Sequence, residues 1–184
     1  MKKLSILLIT TLLISGCTSS TKVNSPGFVA PCVQIKLAES AEKSVVLPCL
    51  DGAGEINFHQ LKGPMVINVW GSWCEGCKQE MPYFVELYQS PVFKSGEIQM
   101  LGVNVEEKSR QAAVTYIKKS GMSWPNLEDA SGVSKSIFGP GVPVTWFIDK
   151  EGKNVGTKIG AYVNKQQLFD QVCLLYTSPS PRDS

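Results

Sequence analysis

The stretch Val66-Ile-Asn-Val-Trp-Gly-Ser-Trp-Cys-Glu-Gly-Cys-Lys-Gln-Glu-Met-Pro82 decides how this chain is read. Its first part belongs to an unbroken apolar, β-rich run over 64–70, the pattern of a strand covered on both faces. From 74 to 89 the spacing turns helical, with Met81, Phe84, Val85 and Tyr88 on one stripe. Pro82 sits inside that helix and predicts a kink. Cys74 and Cys77 therefore fall on a first helical turn, directly after a buried strand. Cysteines at i and i+3 can close a small disulfide there. The unpaired N–H groups and the helix dipole favour a thiolate on the first of them, and thiolate is the form that attacks disulfides.

Two plainer readings of the pair are weaker. Half of a zinc site needs two more ligands. The chain has one histidine, His59, no second Cys-x-x-Cys, and Cys32 and Cys49 separated by 16 residues. A purely structural disulfide would close too short a loop to stabilise much. Dithiol–disulfide chemistry is the better reading.

Outward from this core the pattern is α/β. Short extended runs at 44–47 and 55–58 flank the turn Asp51-Gly52-Ala53-Gly54 and predict a hairpin. Strands are expected at 97–105 and 144–149, helices at 109–120 and 133–138. A turn at 150–153 leads to a returning strand at 155–159, and a last helix opens at 164. This order gives a mixed central sheet with helices on both faces and an N-terminal β-hairpin. Trp70 reads as core, Trp73 as a cover over the cysteines. His59 and the pair Lys118-Lys119 read as surface groups.

Both ends need separate treatment. Lys2 and Lys3 precede an apolar run over 4–15, which is shorter than the about 20 residues that span a bilayer and suits a signal peptide. It runs into Ile14-Ser15-Gly16-Cys17, which resembles a bacterial lipobox. This predicts a lipoprotein signal peptide over 1–16, lipidation at Cys17 and a Ser/Thr/Pro-rich tether over 17–31. A membrane is then a partner through two or more acyl chains. At the other end, residues 173–184 resemble read-through of a sequencing adapter, so the folded domain is expected over 32–172, C-terminally truncated.

The whole chain has 184 residues, 43% hydrophobic and 18% charged, which is an ordinary globular balance. Basic and acidic residues number 18 and 16, so there is no field to attract nucleic acid. Setting the lipidated Cys17 and the tail's Cys173 aside leaves Cys32, Cys49, Cys74 and Cys77. An even set in an exported protein reads as two pairs. Cys32–Cys49 reads as a structural disulfide; a second redox pair is the alternative.

Three blocks in this order resemble the thioredoxin superfamily, and within it the TlpA/ResA-like extracytoplasmic thiol–disulfide oxidoreductases. They are the opening stretch, Gly102-Val-Asn-Val105, and Gly141-Val-Pro-Val-Thr-Trp-Phe-Ile-Asp-Lys-Glu-Gly152. The resemblance implies a thioredoxin-like fold, Cys74 as attacking thiol and Cys77 as resolving thiol. It places Pro143 where the family has a cis-proline beside the disulfide, although the residues alone favour trans. It places Glu80 where the family has a glutamate, one turn from Cys77. That makes Glu80 the candidate proton acceptor; the plainer alternative is a solvated glutamate paired with Lys78 or Lys119. Asn68 stands where thioredoxins proper have a buried, titratable Asp. Gly76 departs from the family's usual Pro, and Glu75 opposes thiolate formation at its neighbour.

The function so implied is reduction of disulfides in exported proteins, with cytochrome c maturation as one setting and a membrane thiol-reducing protein as electron donor. The protein is expected to be a monomer, anchored by its lipid to the outer face of the cell membrane or in the periplasm, with no cofactor or metal. A disulfide-forming oxidant and a copper metallochaperone of the same fold are the alternatives. A thiol peroxidase is disfavoured because the Pro-x-x-x-Thr-x-x-Cys context is missing before Cys74.

Overall fold

The structure, a computed structural model, describes residues 27–39, 42 and 44–177. Strands β1 (Val46–Pro48) and β2 (Glu55–Asn57) form the expected antiparallel hairpin. The chain continues through β3 (Met65–Trp70), α1 (Glu75–Tyr88), α2 (Pro91–Lys94), β4 (Gln99–Val105), α3 (Arg110–Ser120) and β5 (Asn126–Asp129). It closes with α4 (Lys135–Phe138), β6 (Val144–Ile148), β7 (Asn154–Ile159) and α5 (Lys165–Thr177).

The five-stranded sheet has the order β5-β4-β3-β6-β7. Strands β3, β4 and β5 are parallel, while β6 is antiparallel to β3 and β7 to β6. Every residue of the central strand β3 is buried, which is why its sequence runs apolar without alternation. Both parallel crossovers step outward in one direction, and right-handed connections therefore put α1 and α3 on the same face. Val66, Trp70, Met100 and Phe147 pack there against Phe84, Ile117 and Leu168. Ile67, Leu101, Val103 and Val144 face the other way, onto Leu47 and Ile56 of the hairpin and Phe138 of α4. Helices on both faces and the hairpin match the expectation, with α4 the α-helix of the hairpin side.

The structure departs from the sequence reading at α2, at β5 and at both ends of the domain. The sequence pattern does not announce the short helix α2 or strand β5. In β5 the polar Asn126 and Asp129 are buried, because Asn126 accepts from Trp70 Nε1 (2.9 Å) and the Asp129 carboxylate caps the turn at Val133 and Ser134. The tether expected over 17–31 ends earlier, since Gly27 and Phe28 donate backbone hydrogen bonds to Lys118 and Met122 and Ala30 is buried. A Cβ on Gly27 would stand 2.2 Å from the Ile117 carbonyl, so only glycine permits that approach. Helix α5 runs past the expected boundary at Val172 to Thr177, and the Tyr176 hydroxyl donates to the Met65 carbonyl (2.8 Å). Helix α1 runs over Glu75–Tyr88 with Pro82 inside it, as expected. The stretch read as a signal peptide, Cys17 and residues 178–184 lie outside the described residues.

Candidate active site

Strand β3 is where the sheet's connections diverge, to β4 on one side and β6 on the other. The crevice beyond its C-terminal end is the place where open α/β sheets carry their sites. The Gly71–Trp73 turn fills that place. Cys74 is the N-cap of α1, and its Sγ accepts from the Cys77 N–H at 3.1 Å. The two sulfurs are bonded, with Cα atoms 5.3 Å apart. Cys77 is wholly buried, whereas Cys74 keeps 6% of its surface exposed, so a partner meets Cys74 first. Pinning of the turn comes from β4 and the segment after it. Ser72 donates from its N–H and hydroxyl to the two oxygens of Glu107, and Asn104 Nδ2 donates to the same carboxylate (3.0 Å). Trp73 donates from Nε1 to the Val105 carbonyl and leaves half its surface in solvent beside Cys74. Trp70 is fully buried, as expected.

One turn below Cys77, Glu80 is fully buried. It is not the solvated partner of a lysine: Lys78 pairs instead with Glu75 at 3.3 Å. One Glu80 oxygen accepts from Asn68 Nδ2 (3.2 Å), the other from the Tyr162 N–H (3.0 Å). Burial pushes its carboxyl from 4.5 up to about 7, against the opposing pull of those two donors and of the Lys158 charge. It can therefore hold or release a proton near neutral pH. Asn68 Oδ1 is buried without a partner. Turning that amide over would offer the protonated carboxyl an acceptor, so Asn68 suits both states of Glu80.

Asn68 belongs to a polar row across the sheet. Asn126, Gly102, Asn68, Thr145 and Lys158 are successive cross-strand neighbours from β5 to β7. Gly102 is glycine because a Cβ would overlap Asn126 Oδ1 at 1.8 Å. The Tyr162 hydroxyl donates to Gln171 Oε1 (2.6 Å), and burial and Glu80 push that phenol well above its usual range.

The wall opposite the disulfide is the cis Val142–Pro143 bond and the turn after β7. Pro143 Cδ and Ala161 Cβ would lie 3.3 and 3.5 Å from a Cβ on Gly76. Cys74, Cys77, Glu80 and Pro143, read from separate blocks of sequence, are thus brought to one place. Asn68, known from sequence only by what it lacks, joins them as the holder of Glu80. Sequence reasoning missed Tyr162, Lys158 and Glu107, which carry no motif and reach the site through strand register or a backbone atom. A second cis bond, Gly63–Pro64, also had no signal in the sequence.

Cys32 and Cys49 are bonded, with Cα atoms 6.1 Å apart, and join the N-terminal segment to the end of β1. With Asp51 they are the one cluster of potential metal ligands among the described residues, and both sulfurs are committed to each other. His59 stands at the surface beside Glu42, at 3.6 Å.

Residues 37–155 match the AhpC/TSA family. A thiol–disulfide oxidoreductase ResA of Bacillus thuringiensis (strain Al Hakam) is 32% identical over 157 residues, 84% of this chain and 87% of the relative. Among solved structures, StoA of Bacillus subtilis aligns with a TM-score of 0.57 at 23% identity, over 71% of this chain and 98% of its own. The exposed lipoprotein thioredoxin Etrx1 of Streptococcus pneumoniae strain TIGR4 aligns with a TM-score of 0.55 at 26% identity, over 70% and 96%.

Proposed function

We propose that this chain, which belongs to the AhpC/TSA family and is a thiol–disulfide oxidoreductase of the thioredoxin superfamily, reduces disulfides of exported proteins from a lipid anchor at Cys17. The observation that carries the reading is the pairing of a slightly exposed Cys74 with a buried Cys77 whose helix places Glu80 one turn below.

In the reduced enzyme, Cys74 thiolate attacks one sulfur of the partner disulfide and expels the other as a thiolate, which takes up a proton. Glu80 accepts the proton of the Cys77 thiol. The Cys77 thiolate then attacks Cys74 in the mixed disulfide, closes Cys74–Cys77 and releases the second partner sulfur. Two electrons pass to the partner; one of its thiols takes the Cys77 proton by way of Glu80, the other takes from solvent the proton that Cys74 had already given up, and the enzyme is left in the oxidised form described above. Pro143 and the half-exposed Trp73 line the approach to Cys74 and orient the incoming segment. Cys32–Cys49 serves as a structural staple. Electrons return from a membrane thiol-reducing protein, and the partner class includes the haem-binding cysteines of exported cytochromes c. No cofactor is needed, and the protein acts as a monomer. The lipoprotein reading draws support from the charged, apolar start ending in Cys17 and from the pneumococcal relative, an exposed lipoprotein by its own description.

The test is a redox titration of the purified protein in dithiothreitol buffers, followed by Trp fluorescence, together with a Cys77→Ser variant. A two-electron transition at or below about −220 mV, with Cys77→Ser trapped as a mixed disulfide on Cys74, supports a reductant. A transition near about −120 mV makes the protein a disulfide-forming oxidant and overturns the assigned direction.

A further inference from the structure

Lys158 is a cation set where a solvent-facing lysine is not needed. Its Nζ donates to three consecutive carbonyls, Ile159 at 2.8 Å, Gly160 at 2.9 Å and Ala161 at 3.3 Å, and lies 5.5 Å from the Tyr162 ring centroid. Those carbonyls belong to the last residue of β7 and the turn that leads from it to α5. That turn makes three contacts with the site: the Gly160 N–H donates to the Pro143 carbonyl at 2.9 Å, Ala161 faces Gly76, and the Tyr162 N–H grips Glu80. Lys158 is also the end of the polar row through Thr145 and Asn68, and its positive charge acts on Glu80.

From this arrangement we infer that Lys158 is a positioning residue of the exchange reaction. It folds the 159–161 carbonyls around its ammonium, presents the Tyr162 N–H to Glu80, and keeps that carboxylate ready to take the Cys77 proton. The inference rests on the proton-acceptor reading of Glu80. The other groups around Glu80 offer no second cation. Asn68 on β3 and the Tyr162 N–H donate neutrally, Tyr116 on α3 is a phenol pushed up to about 12, and Glu75 on α1 is an acid paired with Lys78. Lys158 therefore has no substitute among the groups facing Glu80 in the described residues.

The experiment compares wild type, Lys158→Met, Lys158→Arg and Glu80→Gln in two measurements. The Glu80 carboxyl is followed by carbon NMR in the oxidised protein, and the rate of disulfide reduction is followed from pH 5.5 to 9. In Lys158→Met the half-ionisation of Glu80 moves up by roughly one pH unit. The rate at pH 7 then falls about fivefold, because the ionised fraction falls by that factor. Near pH 9 the two rates converge, and Lys158→Arg restores the wild-type profile. An unmoved Glu80 titration in Lys158→Met overturns the inference, as does a rate lost equally at every pH, which would mean the turn has simply been spoiled. If Glu80→Gln leaves the pH profile intact, the proton-acceptor reading itself fails. The NMR titration still reports separately whether Lys158 controls Glu80.

Discussion

Replacing Glu80 by Gln removes a proton site that folding moves from 4.5 to about 7. Between those values the folded protein holds a proton that the unfolded chain has released. The native state binds more protons in that window, so stability falls as pH rises through it. Below about pH 4 both states carry the proton, above about pH 8 neither does, and the full loss between those limits is about 3 kcal/mol. Glutamine is close to isosteric with glutamate. Its carbonyl can still accept from the Tyr162 N–H, and Asn68, whose Oδ1 has no partner, can turn over to accept from the new amide. The assay is urea unfolding of the oxidised protein from pH 4 to 8, in which the four bonded cysteines do not titrate. With a slope of about 2 kcal/mol per molar urea, the wild-type midpoint drops about 1.5 M further than that of Glu80→Gln across the range. All other ionisable groups are common to both proteins, so the difference isolates Glu80. Equal pH dependence in the two would refute both its burial as an acid and its suitability as proton acceptor.

Other outcomes can be checked with the same material. The double change Cys32→Ser/Cys49→Ser should cost about 3 kcal/mol in urea unfolding while leaving the rate of disulfide reduction intact at 25 °C; loss of that rate in folded protein would make the pair a redox relay. Gly102→Ala forces a methyl into Asn126 Oδ1 and should cost about 3 kcal/mol or more, read as a lowered thermal midpoint with an unchanged redox potential. Trp70→Phe leaves Asn126 Oδ1 without its indole donor inside the core, a loss of about 1 to 3 kcal/mol measurable by the same unfolding.

Much of the fold was legible because the relevant signals are local. An all-apolar run such as β3 announces burial on both faces, and helical spacing after it places Cys74 and Cys77 on a first turn. Strand β5 was not legible, since its polar residues look like loop until Trp70 and the turn at Ser134 supply their partners. The packing of residues 27–31 escaped for a related reason: the backbone of Gly27 and Phe28, not a periodic apolar face, does the binding.

By itself, the sequence determined the chemistry: a Cys-x-x-Cys after a buried strand, with a glutamate one turn further along the same helix. Those facts are matters of spacing within one strand and one helix. Only the tertiary structure decided what that glutamate is. Burial raised its carboxyl into the neutral range, and strand register brought Asn68, Thr145 and Lys158 side by side beneath it. The Tyr162 N–H arrived from 82 positions away. A carboxyl's proton affinity depends on the solvent it has lost and on the donors that replace it, and those come together only when distant segments pack.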